Sequence, residues 1–259
     1  MTNYGLFAEH FSDFQDNYVV IGGTACELVM ADAGFKFRAT RDIDMVIVAE
    51  EINEPFGQAF WKFIDEGGYQ SHRDREGENY YRFDKPTNDN YPKMIELFCR
   101  KPLEDFRKGN GTFTPIHIGE DITSLSAIVL NEAYVDILNR GKIVLQNLTV
   151  LKSEYLIIFK ARAHIDLKQK QREGYTTKSH DIKKHLLDVI RILAILDIDE
   201  LLQSGELSKL SEELRADLNT FINEIDQNER VSIQGLNEKE YILREPDEII
   251  RLLKQLFSL

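Results

Sequence analysis

Tyr18-Val19-Val20-Ile21-Gly22-Gly23-Thr24 is a short apolar run closed by two glycines and a hydroxyl, and Asp42-Ile43-Asp44-Met45-Val46-Ile47 opens the next apolar run with two carboxylates. The first piece reads as a strand turning into a helix. The second reads as a strand in which Asp42 and Asp44 share a face, because side chains alternate along a strand. Their backbones are then roughly 7 Å apart. Two like charges that close repel, and a hard divalent cation beside them removes the conflict. Mg2+ uses one or two carboxylates together with substrate phosphates. Gly22 and Gly23 allow a backbone to approach a phosphate at a helix N-terminus, where free N–H groups and the dipole favour anions. The plainer readings are a tight strand-to-helix turn, and a carboxylate pair neutralised by Arg38 and Arg41. The apolar neighbours Ile43, Met45 and Ile47 point to a buried strand, in which unpaired carboxylates are costly.

Outward from this stretch the first half alternates strands and helices. Thr24 to Ala33 reads as a helix with Thr24 at the N-cap and Glu27 three residues on, a capping-box spacing. Glu54–Phe63 has helical periodicity and ends at Gly67-Gly68. Tyr80–Phe83 and Lys93–Cys99 read as strands joined by a loop from Pro86 to Pro92. Gly109–Gly111 reads as a turn, and Ile116–Ile118, Ser126–Leu130 and Ile143–Leu151 as short apolar runs. From about Leu151 the texture becomes helical, with helices expected over Lys152–Lys170, Ser179–Leu196, Glu206–Asn223 and Asp247–Phe257. The expectation is an α/β (α+β) fold: a mixed sheet with flanking helices over residues 1–150, then a helical half over residues 151–259.

Composition narrows the function classes. The chain of 259 residues carries 32 Lys+Arg against 44 Asp+Glu, a net charge of −12, which disfavours general binding to nucleic acid or anionic membrane. It leaves room for a local basic groove. Cys26 and Cys99 lack metal-ligand spacing and fit a reduced, cytoplasmic protein. Met1–Asp16 has neither a basic region nor a long apolar core, so no signal peptide is expected. No apolar run approaches a membrane span, which takes roughly 18 residues. His72, His117, His164 and His180 lack the sequence spacing of a metal site and read as surface or satisfied residues. Trp61, Phe7, Phe11 and Phe14 read as core.

A third acid extends the carboxylate pattern. Glu96 lies inside the apolar strand Met94-Ile95-Glu96-Leu97-Phe98, where a charge is unwelcome unless it has a partner or faces solvent from an edge. A glycine turn after a strand, a carboxylate pair on the next strand and a third carboxylate later together resemble the nucleotidyltransferase superfamily, over about residues 18–98. The longer gap between Thr24 and Asp42, the Arg38-Ala39-Thr40-Arg41 leader and the helical half are similar to the AbiEii-type nucleotidyltransferase toxin family. On that resemblance Lys160, within Lys160-Ala161-Arg162, and Asp188, within Lys184-His185-Leu186-Leu187-Asp188, occupy the positions of the family's helical lysine and later aspartate. His185 stands where the family often has an acid. The plainer readings are a surface lysine whose stem lies along the protein, and an aspartate paired along its helix with Arg191 or Lys184. Basic residues gather on these helices, and Lys160 and Lys184 stand out from a merely solvated face.

The resemblance implies a Mg2+- or Mn2+-dependent nucleotidyltransferase that moves a nucleotidyl group from an NTP to an acceptor hydroxyl, on an RNA end such as tRNA or on a protein. Asp42, Asp44 and Glu96 would be the metal carboxylates. Gly22, Gly23, Thr24 and Lys184 would hold the nucleotide phosphates. Lys160 and Asp188 would complete the catalytic set. It also implies a toxin with an antitoxin partner, or a phage-defence pair, in the cytoplasm and away from membranes. The rival readings are a catalytically silent nucleotide-binding or interaction module, and an antibiotic-modifying nucleotidyltransferase whose acidic Asp197–Glu213 stretch would receive a cationic substrate.

Overall fold

The computed structural model describes residues 4–38, 40, 42–47, 54–73, 80–98, 116–117, 131–230, 233 and 245–259. The expected turn at Gly109–Gly111, the run Ser126–Leu130, and residues Arg41 and Cys99 lie outside them. The fold is mixed α and β, and the chain divides into two units, Met1–Lys152 and Ser153–Leu259.

The first unit is built on an eight-stranded sheet. Its strands are β1 (Tyr18–Ile21), β2 (Asp42–Ile47), β3 (Gln70–Arg73), β4 (Tyr80–Asp84), β5 (Met94–Phe98), β6 (Ile116–His117), β7 (Lys142–Leu145) and β8 (Leu148–Leu151). Their spatial order is β6-β3-β4-β5-β2-β1-β8-β7. β2 pairs antiparallel with β1 and parallel with β5. β5 in turn pairs antiparallel with β4, so Glu96 lies on an internal strand and not at an edge. The apolar run Ile143–Leu151 is a hairpin rather than one segment. Gln146 and Asn147 both have positive φ (49° and 63°), the backbone of a two-residue turn whose twist matches its strands.

Helices α1 (Gly5–His10), α2 (Gly22–Asp32), α3 (Glu54–Gly67) and α4 (Glu132–Arg140) accompany the sheet. Phe56, Phe60, Phe63 and Ile64 recur at helical spacing on α3 and are all buried. Phe11 meets the rings of Phe56, Phe60 and Phe63 at centroid distances of 5.9, 6.2 and 5.4 Å. Trp61, Phe7 and Phe11 are core residues; Phe14 is partly exposed.

The second unit is helical: α5 (Ser153–Arg172), α6 (Ser179–Ile195), α7 (Ile198–Ser204), α8 (Glu212–Glu224) and α9 (Pro246–Phe257), with a single π-helical turn at Ile225–Glu229 following α8. α5 packs on α6 and α8. Leu186, Leu193, Leu218, Phe221 and Leu253 are fully buried between the helices of this unit. No helix among the described residues is long and apolar enough to cross a membrane.

Candidate functional site

β1 runs into α2 without a linker. Ile21 ends the strand and Gly22, at φ +69°, begins the helix. Thr24 is therefore the third helical residue and not the N-cap. The capping box expected from Thr24 and Glu27 does not form, because Glu27 Oε2 instead accepts hydrogen bonds from the Thr40 amide (3.2 Å) and hydroxyl (2.8 Å). Thr24 is buried, and its hydroxyl donates to the Asp42 carbonyl at 2.6 Å. A phosphate would have to compete with that bond. In place the bond clamps the start of β2 to the first turn of α2.

The glycines are demanded by close approach. A Cβ on Gly22 would lie 1.7 Å from Asp44 Oδ2 and 2.6 Å from Asp44 Cγ, and one on Gly23 would lie 2.8 Å from Thr40 Cγ2. The Gly23 amide donates to Asp44 Oδ2 at 3.4 Å, a long hydrogen bond. Asp44 thus places its own negative charge at the N-terminus of α2, where the helix dipole favours it.

Strand register decides which acids share a face. Asp44 is directly opposite Glu96 in the parallel β2–β5 pair, and Asp42 precedes Asp44 by two residues, so all three acids project from one side of the sheet. The opposite side carries Ile43 and Met45, both buried. Asp42 is exposed, Asp44 partly so and Glu96 buried. Arg82, opposite Glu96 on β4, donates from Nε (3.0 Å) and Nη2 (2.8 Å) to Glu96 Oε1. Glu96 is therefore an ion-paired internal residue, and Arg82 is a member of the constellation that the sequence reading left out. Its position two residues past Tyr80, on an alternating strand, was the available signal. The three acids do not converge so tightly that one oxygen from each lies within 4.8 Å of the other two. Among the described residues the group that does so is His164, Glu224 and Glu229.

The remaining expected site residues belong to the second unit. Lys160 on α5 is not a surface lysine. It is 4% exposed, and its Nζ donates to Oδ2 of the fully buried Asp188 at 2.8 Å. Arg191 Nη1 lies 3.5 Å from the other Asp188 oxygen. One turn earlier on α6, burial first and then the charges of Lys160 and Lys184 hold the His185 imidazole well below its ordinary pKa, so it is neutral at physiological pH. Lys184 is partly buried. The basic residues Arg162, Lys168 and Arg172 are matched by acids of this unit: Asp217 for Arg162, Glu229 for Lys168 and Glu224 for Arg172. They are ion-pair partners and not an open basic groove.

His164 departs from the surface or satisfied residue expected of it: it is fully buried, and its Nε2 has no hydrogen-bond partner. Its neighbours Glu224 and Glu229 are 60 and 65 residues away in sequence, so no local spacing announces the group.

The donor chemistry of Asp42 and Asp44, two carboxylates on one face beside the first turn of α2, fits a hard divalent cation. The chain matches no protein-family model, no curated protein and no solved structure.

Proposed function

We propose that this chain is a divalent-metal-dependent nucleotidyltransferase, with Asp42 and Asp44 as the metal-holding carboxylates and Gly22-Gly23 as the phosphate-facing turn. One observation carries the reading. The Asp44–Glu96 register puts three acids from two strands on one face, and a glycine pinned at φ +69° brings the α2 N-terminus against Asp44. Mg2+ or Mn2+ held by Asp42 and Asp44 would supply charge neutralisation to the transferring phosphate and would lower the pKa of the incoming hydroxyl. The chain's own part is positioning. The first turn of α2 offers N–H groups to the phosphates, Thr24 fixes β2 to that turn, and Arg82 holds Glu96 in the face. Preorganised donors of this kind stabilise the charge that develops in phosphoryl transfer. By the sequence resemblance, the acceptor is a hydroxyl on an RNA end or a protein, and the biological role is a toxin held in check by an antitoxin.

The test is incubation of the full chain with each α-labelled NTP, Mg2+ or Mn2+, total RNA and cell-lysate protein. The expected result is metal-dependent label in one fraction, abolished by Asp44→Asn without loss of the folded state. Label transfer by Asp44→Asn at the wild-type rate, or no transfer from any NTP, overturns the proposal. The second reading, a silent nucleotide-binding module, is favoured by the Arg82 guanidinium already paired to Glu96. It predicts NTP binding without transfer.

A further inference from the structure

His164 Nδ1 lies 3.0 Å from the Ile182 carbonyl oxygen. A carbonyl only accepts, so Nδ1 carries the hydrogen, and in the neutral ring Nε2 presents a lone pair. Yet Nε2 is fully enclosed without a partner, and an unpaired buried acceptor is costly. Beside the ring stands a pair of buried carboxylates: one ring nitrogen of His164 and one oxygen each of Glu224 and Glu229 all lie within 4.8 Å of one another.

Glu224 and Glu229 face the same way because of a backbone irregularity. Positions five apart on an α-helix diverge by roughly 140° around the axis. The π turn at Ile225–Glu229 closes i→i+5 bonds and brings the fifth residue back over the first. Such turns recur at functional sites. Asn228 Nδ2 (3.0 Å) and Arg172 Nη2 (2.6 Å) both bind Glu224 Oε2, and Oε1 is buried without a hydrogen-bond partner.

We propose that His164 Nε2, Glu224 and Glu229 form a binding site for a divalent transition-metal ion of the Zn2+ or Co2+ kind. One imidazole with two carboxylates suits these ions better than Mg2+ or Ca2+, which take oxygen ligands. A metal-bound histidine characteristically donates its other ring N–H to a backbone carbonyl, as His164 does to Ile182. Three protein ligands leave a fourth position open. Bonds of about 2.0–2.2 Å place neighbouring ligand atoms about 3.4 Å apart, so the side chains close on the ion by no more than about 1.5 Å. Lys168 is the resident counter-charge: its Nζ is 2.5 Å from Glu229 Oε1 and 3.3 Å from Glu224 Oε1. Its side chain is 19% exposed, so the ammonium has a route to solvent when the ion enters, and lysine and metal compete for the same two acids.

The test is a titration of the metal-free full chain with Co2+, read by visible absorption and by equilibrium dialysis, with Zn2+ as competitor. One Co2+ per chain is expected to persist in the Asp42→Asn/Asp44→Asn double variant, which separates this site from the proposed transferase site. Glu229→Gln is expected to weaken it at least tenfold. Lys168→Met is expected to strengthen it at least tenfold, a gain that a purely structural lysine would not produce. Absence of bound Co2+ from both wild type and Lys168→Met overturns the proposal, as does loss of this Co2+ in the double variant. Equal affinity across wild type, Glu229→Gln and Lys168→Met overturns it too, and if Glu229→Gln does not fold, the comparison of wild type with Lys168→Met decides.

Discussion

Gly22→Ala is the substitution with the most to reveal about the turn. A Cβ there meets two separate penalties. An L-residue held at φ +69° carries about 1–2 kcal/mol of backbone strain. The same Cβ would sit 1.7 Å from Asp44 Oδ2 and 3.0 Å from Asp44 Cβ, so the carboxylate must leave its rotamer, at a further cost on the order of 1 kcal/mol. The total is about 2–3 kcal/mol. Only the second part depends on the side chain at position 44. In an Asp44→Ala background the cost of Gly22→Ala is expected to fall by about 1 kcal/mol, a coupling that a double-mutant cycle resolves. Urea unfolding followed by Trp61 fluorescence is suited to the measurement. Trp61 is the single tryptophan, and it is buried on α3 in the same unit. Gly22→Ala as stable as wild type, or strictly additive costs in the double variant, would refute the claim that Asp44 is packed against the glycine turn.

Two further outcomes concern the helical unit. Lys160→Met leaves Asp188 buried without its ammonium. Removing one member of a buried pair costs about 3–5 kcal/mol, so a loss of that size is expected in urea unfolding read by far-UV circular dichroism. A loss under about 1 kcal/mol would show that Arg191 neutralises Asp188 unaided. The second outcome is a pH dependence. Burial depresses the pKa of His164 and His185 below the ordinary value of 6.5, so the unfolded chain binds protons that the folded chain refuses. Their contribution is complete above about pH 6.5 and is lost as pH falls below it, by at most about 1.4 kcal/mol per pH unit for each histidine. Urea midpoints in chelator-treated buffer are expected to drop from pH 7.5 to 5.5, less steeply in His185→Leu. A midpoint that rises over that interval contradicts the assignment.

The alternation of Asp42 and Asp44 with Ile43 and Met45 was legible in the sequence, because a strand's two-residue period exposes its faces directly. The register of Asp44 with Glu96 was not, since it depends on which strand becomes the neighbour of β2 after a fifty-residue excursion. The Thr24–Glu27 spacing misled for a definite reason. The left-handed Gly22 lets the strand pass straight into the helix, which moves the helix start two residues earlier, and Thr40 then becomes the better partner for Glu27. The hairpin at Gln146-Asn147 hid because its turn lacks the glycine that usually marks one. Lys160 and Asp188 were marked by the family resemblance, each in a helix that carries several other charges, but that the two are each other's partner appears only when α5 packs on α6. The group of His164, Glu224 and Glu229 was invisible to spacing, because a π turn breaks the helical period that such reasoning assumes.

The account rests on Asp42 and Asp44 sharing a divalent ion beside the Gly22-Gly23 turn. The most direct measurement is anomalous diffraction from crystals of the chain soaked with Mn2+ and a non-hydrolysable NTP. The predicted result is a metal peak about 2.1 Å from an oxygen of each of the two aspartates, with the nucleotide phosphates at the first turn of α2. Phosphates bound elsewhere, or no metal at these carboxylates while nucleotide is bound, would contradict it.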